Sequence, residues 1–169
     1  MQSPHIRDMA VTAAVITVST TRTPETDESG KAIQDLLAGA GIEVTYYALV
    51  PDRTPLIRTA LLTALEHAGC VILTGGTGLT PDDCTIEAVR PLLDKTMEGF
   101  GELFRWKSFQ EIGTSAYLSR ALAGIMDGKA VFCLPGSLPA VTLATRDLIL
   151  PEIRHILSHS SLSRPPGGS

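Results

Sequence analysis

Short apolar runs alternate with helical patterns along the chain. Runs rich in β-branched and aliphatic residues predict four strands, at residues 13–19, 43–50, 70–73 and 130–134. Apolar residues at helical spacing predict helices over residues 30–40, 54–69, 85–93, 97–109, 114–123 and 137–157. The strands read as continuous apolar runs, which is typical of strands that helices cover on both faces. The sequence therefore predicts an α/β protein with a mostly parallel central sheet.

Length and local composition indicate one domain. The chain has 169 residues, which fits a single domain of the usual size of about 100–200 residues. We expect this domain to span residues 11–157. Residues 1–10 are expected to form a flexible tail, and residues 158–169, which are rich in Ser, Pro and Gly, a disordered one.

Charge and composition exclude several classes of function. The 14 Lys and Arg against 18 Asp and Glu give a net charge of −4, which argues against a nucleic-acid binder. No apolar run reaches the roughly 18 residues of a membrane helix, and no secretory signal is evident, so we expect a cytoplasmic protein that binds no membrane. His155 and His159 can share a helix face, but no third ligand is evident, and we expect no bound transition metal.

Polar turns follow the predicted strands, at residues 19–29, 50–54, 73–85 and 134–137. The turn after the third strand holds three glycines in four positions, Gly75, Gly76 and Gly78. Ligands of open α/β sheets bind at such strand ends, and consecutive amides there form an anion site, to which Thr77 and Thr85 add hydroxyls. A tight turn that only connects strand and helix is the alternative.

Acidic residues follow these glycines closely. Asp82, Asp83 and Glu87 would repel a phosphate unless they cap the next helix or a cation lies between them and the ligand. Mg²⁺ with a nucleotide reconciles the two features, because Mg²⁺ binds one or two carboxylates together with phosphate oxygens. The dinucleotide fingerprint GxGxxG fails at Pro81, and no P-loop sequence occurs.

Weaker candidates follow the other strands or lie on the predicted helix 114–123: Asp52, Ser115, Ser119, Arg120, Pro135, Gly136 and Ser137. The 135–137 turn either binds a second anion or only caps a helix. Asp52 is either a site residue or an ordinary turn aspartate. Arg120 pairs either with a phosphate or in a surface salt bridge.

Several motifs in a fixed order point to a known family. They are TGGTG at 74–78, DCTIEA at 83–88, GFGELFR at 99–105, EIGTSAYLSRALAG at 111–124 and LPGS at 134–137. With them the chain resembles the MoaB/Mog family of molybdenum cofactor biosynthesis proteins over residues 12–157, and the third and fourth motifs resemble its MoaB branch. The resemblance implies a three-layer α/β/α fold that binds molybdopterin, a pterin dithiolene with a terminal phosphate. It also implies adenylylation of that phosphate with Mg-ATP or another nucleotide, and release of pyrophosphate.

The resemblance assigns roles to individual residues. Asp52 and Asp83 match the essential acids of the family, and we expect them to be catalytic and to hold Mg²⁺. The ligand-binding turns of the family match Gly75, Gly76, Thr77, Gly78, Ser115, Ser119, Gly136 and Ser137. The family also implies a homo-oligomer, a trimer or a hexamer. The aromatic segment 100–109 is either its interface or a core-facing helix.

One position departs from the family pattern. The residue before the motif aspartate is usually arginine in the family, whereas this chain has Asp82. A phosphate-facing cation thereby becomes an anion, which predicts weaker binding of the phosphorylated ligand. The sequence thus leaves two functions open, a molybdopterin adenylyltransferase and a non-catalytic molybdopterin- or nucleotide-binding protein of the same pathway.

Overall fold

A computed structural model describes residues 9–161 of the chain. Most of the two predicted tails, residues 1–8 and 162–169, lies outside the described residues. The described residues form six strands: Thr12–Val18 (β1), Glu43–Val50 (β2), Cys70–Thr74 (β3), Lys95–Thr96 (β4), Leu122–Met126 (β5) and Lys129–Leu134 (β6). The same residues form six α-helices: Glu28–Gly39 (α1), Thr54–His67 (α2), Thr85–Val89 (α3), Glu98–Ile112 (α4), Leu138–Leu143 (α5) and Ile153–Ser160 (α6).

The strands form one mixed sheet in the order β2-β1-β3-β6-β5-β4. The first four of these neighbours pair in parallel, and β5 and β4 add antiparallel strands at one edge. In the parallel part, Thr17 pairs with Thr74, and Thr74 pairs with Leu134. The carboxyl ends of β1, β3 and β6 therefore lie side by side.

Helices cover both faces of the sheet, because alternate strand residues point to opposite sides. On one face Val15, Ile72 and Phe132 pack with residues of α1, α4, α5 and α6. On the other face Ile16 and Leu73 pack with residues of α2 and α3. The predicted three-layer α/β/α architecture with a mostly parallel sheet is confirmed.

The predicted helix over residues 114–123 is wrong. A short 3₁₀ turn spans Gly113–Leu118, and the chain then enters β5. Asp127 and Gly128, both with positive φ, connect β5 to β6 as a two-residue hairpin turn. Gly124 lies inside β5, where a Cβ atom would stand 2.4 Å from the carbonyl oxygen of Lys95 in β4. The absence of a side chain therefore allows β4 to pair with this strand.

The single helix predicted over residues 137–157 is divided into three parts. After α5, residues Ala144–Ile149 form a π-helical segment, and a turn containing Pro151 separates it from α6. Proline lacks the amide hydrogen that a continuous helix needs, which explains the break. Helix α6 reaches Ser160, three residues beyond the predicted end.

The aromatic segment 100–109 belongs to α4, with one face in the core and another exposed. Phe104 is buried in the core, where Phe100 stacks against it at 6.5 Å between ring centroids. Leu103, Trp106 and Phe109 are each more than half exposed. Within residues 9–161, no helix has both the length and the hydropathy to cross a membrane.

Candidate functional site

Four turns meet at the carboxyl edge of the parallel strands. The amide of Ser19, after β1, donates to the carbonyl of Val50 at the end of β2 (2.8 Å). The amide of Gly75, after β3, donates to the carbonyl of Leu134 at the end of β6 (3.0 Å). These bonds continue the sheet into the turns and hold the four segments together, as expected for a ligand site of this fold class.

The glycine turn needs its glycines for steric reasons. Gly75 and Gly76 have φ of +92° and +66°, in the region that residues with a Cβ atom rarely adopt. A Cβ on Gly75 would lie 2.3 Å from the carbonyl oxygen of Val18, and one on Gly76 would lie 2.9 Å from Oδ1 of Asp52. The turn therefore passes so close to its neighbours that only backbone fits between them.

Fewer backbone amides of the glycine turn are free to bind a ligand than its three glycines predict. The Gly75 amide is already bonded to Leu134, whereas no protein group within residues 9–161 accepts from the amides of Gly76 and Gly78. Thr85 is fully buried, and its hydroxyl donates to the carbonyl of Gly75 (2.8 Å). Its amide donates to the carbonyl of Gly76 (3.0 Å). Thr85 thus fixes the turn from behind, and the Thr77 side chain is also buried.

A cavity of about 610 Å³ lies beside the glycine turn, on the α2 and α3 side of the sheet. It is lined by Val18, Ser19, Thr20, Thr21, Pro51, Asp52, Arg53, Gly76, Thr80, Asp82 and Asp83. Three of the four predicted acids of the site line this cavity, although they come from two turns. We call it the acidic cavity.

Asp52 and Asp83 are held in the same way at its wall. Oδ2 of Asp52 accepts from the amide (3.1 Å) and the hydroxyl (2.9 Å) of Thr20. Oδ2 of Asp83 accepts from the amide (3.0 Å) and the hydroxyl (2.8 Å) of Thr80. In the described part of the chain neither Oδ1 atom has a hydrogen-bond partner. Each carboxylate is thus fixed by one oxygen and presents the other, and Oδ1 of Asp52 faces Gly76.

These two oxygens are suited to a hard cation. Mg²⁺ is usually bound by one or two carboxylates and completes its shell with water and phosphate oxygens. No cluster of three or more His, Cys, Asp or Glu side chains in residues 9–161 could form an all-protein metal cage. The donor set therefore fits Mg²⁺ carried in with phosphate oxygens.

Arg120 pairs with a carboxylate of the protein. Its guanidinium donates to both oxygens of Glu87 (2.6 and 3.2 Å), and its Nε donates to the carbonyl of Thr77 (2.8 Å). The bonds from Arg120 lower the pKa of Glu87. Arg120 and Glu87 therefore hold the glycine turn to the segment before β5. Of the two roles considered for Arg120 from the sequence, phosphate binding or a salt bridge, the structure shows the salt bridge.

The turn over residues 135–137 lies against the glycine turn on the opposite side from the acidic cavity. A Cβ on Gly136 would be 3.2 Å from the Cα of Gly75. The carbonyl of Pro135 accepts from the hydroxyl of Thr74 (3.0 Å). The side chain of Ser137 caps α5 by accepting from the amide of Ala140 (3.3 Å).

Ser115 and Ser119 lie elsewhere in the structure. Ser115 is exposed on the 3₁₀ turn and lines a cavity of about 540 Å³ with Phe109, Tyr117 and Leu118. Ser119 is half-buried, and its amide donates to the carbonyl of Ala116 (3.0 Å). No hydrogen bond within residues 9–161 joins either serine to the glycine turn, and only the neighbouring Arg120 reaches it.

Sequence reasoning did not identify several residues that shape the site. Thr20 and Thr80 fix the two catalytic-candidate carboxylates, and Arg53 lines the acidic cavity. Arg22 and Ser29 reach the carbonyl of Gly136. The available signal was their position, because all five lie in segments that the strand-end rule had marked, at residues 19–29, 50–54 and 73–85.

Comparison with known proteins gives a consistent result. The family described as "Probable molybdopterin binding domain" matches residues 14–155. Molybdenum cofactor biosynthesis protein B of Halalkalibacterium halodurans is 49% identical over 150 residues, which cover 87% of this chain and 88% of that protein.

Solved structures agree with the sequence relatives. A crystal structure of a molybdenum cofactor biosynthesis protein B is 48% identical, with a TM-score of 0.87, and covers 94% of this chain and 98% of its own. The tungsten cofactor synthesizing protein MoaB from Pyrococcus furiosus is 40% identical, with a TM-score of 0.83 over 90% of this chain and 98% of its own.

Proposed function

Since the chain belongs to the MoaB-like family of molybdenum cofactor biosynthesis proteins, which is built on a molybdopterin-binding domain, we propose that it is a molybdopterin adenylyltransferase. In this reaction the terminal phosphate of molybdopterin attacks the α-phosphate of ATP. A phosphoanhydride bond to AMP forms, and pyrophosphate leaves. The observation that carries the proposal is the pair Asp52 and Asp83, which both line the acidic cavity and each keep one oxygen without a hydrogen-bond partner within residues 9–161.

The charge of the cavity supports a metal-bound nucleotide. Asp52, Asp82 and Asp83 would repel free ATP, but carboxylates among them can bind the Mg²⁺ that the phosphates of a nucleotide carry. Mg²⁺ held there would supply positive charge to the α-phosphate of the adenylyl group and to the leaving pyrophosphate. Asp52 and Asp83 would hold it through their Oδ1 atoms, while Thr20 and Thr80 keep both carboxylates in place.

The chemistry needs no general base from the protein. The second pKa of a phosphate monoester is about 6, so the pterin phosphate is largely a dianion at neutral pH. It is therefore itself the nucleophile. The tasks left to the chain are positioning the two phosphates and compensating their charge. The amides of Gly76 and Gly78 serve the first task, because no protein group in the described part of the chain accepts from them.

Asp82 is the reason to keep a second function in view. It is exposed and lines the acidic cavity next to Asp83, where the family usually has a cation. An additional negative charge there weakens the attraction for a phosphate. A chain that binds molybdopterin or a nucleotide without turning either over is the alternative function.

Pyrophosphate release separates the two functions. With molybdopterin, ATP and Mg²⁺ present under anaerobic conditions, the wild-type chain is expected to release pyrophosphate in step with the formation of adenylylated molybdopterin. A coupled pyrophosphatase assay measures the first product, and chromatography of the pterin measures the second. Binding of molybdopterin by calorimetry without release of pyrophosphate would establish the alternative.

We also propose that the chain assembles as a trimer or a hexamer. The exposed face of α4 and the following 3₁₀ turn carry six large apolar side chains, each more than half exposed: Leu103, Trp106, Phe109, Ile112, Tyr117 and Leu118. Aromatic and aliphatic side chains clustered in this way are typical of protein interfaces. The family resemblance makes a second copy of the same chain the partner.

Replacing Trp106 by arginine is expected to dissociate this assembly into monomers. Trp106 is 58% exposed and belongs to the patch, so a charge there would be buried without a partner in the oligomer. Sedimentation velocity gives the mass. The matched control is Leu62→Arg, since Leu62 is 50% exposed on α2, away from the patch. A wild-type chain that sediments as a monomer would contradict the proposal.

A further inference from the structure

The two sides of the glycine turn differ in charge. On the α2 and α3 side lies the acidic cavity, with Asp52, Asp82 and Asp83. On the other side, where α1 and α5 pack, Arg22 and Ser29 reach the Gly136 carbonyl. A reaction that joins two phosphate-bearing molecules has to bring both to this turn, and only one of them carries Mg²⁺.

The second side is organised around a buried carboxylate, Asp27. Its side chain is 1% exposed, and Oδ2 accepts from the hydroxyls of Thr17 (2.6 Å) and Tyr47 (2.5 Å). Oδ1 accepts from the amide of Gly30 (3.0 Å), which caps the N-terminus of α1. Burial and the bond to Asp27 raise the pKa of Tyr47 to about 12, so this phenol remains a donor at neutral pH. Asp27 is therefore fixed on all sides.

Arg22 is the partner of Asp27 that still has donors to spare. Its Nη1 lies 3.8 Å from Oδ1 of Asp27, and its Nη2 lies 3.5 Å from the carbonyl oxygen of Gly136. Both distances exceed the 2.7–3.2 Å of a good N–H···O bond, so no group within residues 9–161 engages most of the five N–H donors of this guanidinium. The side chain is 37% exposed.

Of the other arginines near these turns, Arg53 lines the acidic cavity, and Arg120, which reaches the glycine turn, is already engaged. Arg120 makes two short bonds to Glu87 and one to Thr77. Arg22 thus lies between the carboxylate of Asp27 and the carbonyl of Gly136, and it keeps N–H donors that can bind a ligand. The hydroxyl of Ser29 donates to the same Gly136 carbonyl (2.7 Å), which fixes the turn that Arg22 faces.

We propose that Arg22 binds the terminal phosphate of molybdopterin at the 135–137 turn and that Asp27 is the positioning residue that orients it. Charge then determines where each ligand binds: the metal-free phosphate lies against Arg22, and the Mg-nucleotide lies in the acidic cavity. This inference rests on the proposed function. It also provides the phosphate-facing cation that the chain lacks at Asp82.

The test compares three ligands on the full-length chain. Replacing Arg22 by glutamine is expected to weaken molybdopterin about tenfold to 100-fold, since it removes a charge-assisted hydrogen bond to phosphate. Affinity for molybdopterin whose phosphate has been removed enzymatically should not change, and affinity for Mg-ATP should change less than threefold. Anaerobic pterin fluorescence or calorimetry measures all three. Arg146→Gln is the matched control, because that exposed arginine pairs with Asp147.

A double-mutant cycle tests the part played by Asp27. Asn at position 27 can still cap α1 but no longer carries charge, so Asp27→Asn alone should weaken molybdopterin about threefold to tenfold. In the Arg22→Gln background the same change should have no further effect, which a merely structural role would not produce. Equal losses in both backgrounds would overturn the positioning role.

The outcomes distinguish this inference from the proposed function. A wild-type chain that binds molybdopterin, together with an Arg22→Gln variant of unchanged affinity, overturns the role of Arg22 alone. An equal loss for molybdopterin and its dephosphorylated form also overturns it, since the contact would then not be to phosphate. A wild-type chain without affinity for molybdopterin overturns both proposals.

Discussion

Replacing Asp83 by asparagine is expected to lower adenylyl transfer about 100-fold to 1000-fold. A cation at a transferring phosphoryl group contributes several kcal/mol of transition-state stabilisation, and about 1.4 kcal/mol corresponds to a factor of ten in rate. The substitution keeps an oxygen that accepts from Thr80, so the turn retains its shape. What it removes is the negative charge and the acceptor at the presented oxygen. Initial rates of pyrophosphate release measure the effect.

The dependence on Mg²⁺ makes this prediction specific. If Asp83 helps to hold the cation, the variant needs more Mg²⁺ to reach half of its own maximal rate. A purely structural role would change the stability of the fold and leave that concentration unaltered. The control is Asp35→Asn, which removes one negative charge from an exposed residue of α1 that pairs with Lys31. Full activity of Asp83→Asn at unchanged Mg²⁺ dependence would rule out a metal role.

The architecture could be predicted because its dominant features are local in sequence. Strands β1, β3 and β6 are continuous apolar runs. The helices that separate β1, β2 and β3 have apolar residues at helical spacing, which can be recognised in the sequence. Burial on both faces leaves no polar alternation, so these strands are recognisable without any long-range information.

The antiparallel edge could not be predicted in this way. Strand β4 has only two residues, both exposed, and carries no apolar pattern at all. Strand β5 begins with Leu122 and Ala123, which are good helix formers and continue the helical composition of the segment before them. The useful signal was Asp127-Gly128, a hairpin turn sequence, which determines where the chain reverses.

The site shows the same division between local and long-range information. The family resemblance identified Asp52 and Asp83, and the strand-end rule explains why both line one cavity. The pairing of Arg120 with Glu87 joins residues 33 positions apart and depends on the hairpin, so the sequence left its role open. Asp27 lacks any motif of its own, and its importance follows only from the three elements that converge on it.

Replacing Gly75 by alanine is expected to destabilise the fold by about 2–5 kcal/mol, because two costs add. A residue with a Cβ atom is strained at a φ of +92°, and the new methyl group would lie 2.3 Å from the backbone oxygen of Val18. Backbone cannot rotate away as the end of a side chain can, so β1 and β3 have to separate. Thermal and urea unfolding, followed by circular dichroism, measure the loss.

Gly39→Ala is the matched control for this prediction. Gly39 is the last residue of α1, with nothing within 4 Å of the position of a Cβ atom, so alanine there is expected to stabilise the helix by about 0.5–1 kcal/mol. The same substitution thus has opposite signs at the two glycines. The Gly75 variant should also lose affinity for Mg-ATP, since Asp52 faces the neighbouring Gly76. Equal stability of Gly75→Ala and wild type would mean that the close approach of the glycine turn to Val18 is not a feature of the molecule in solution.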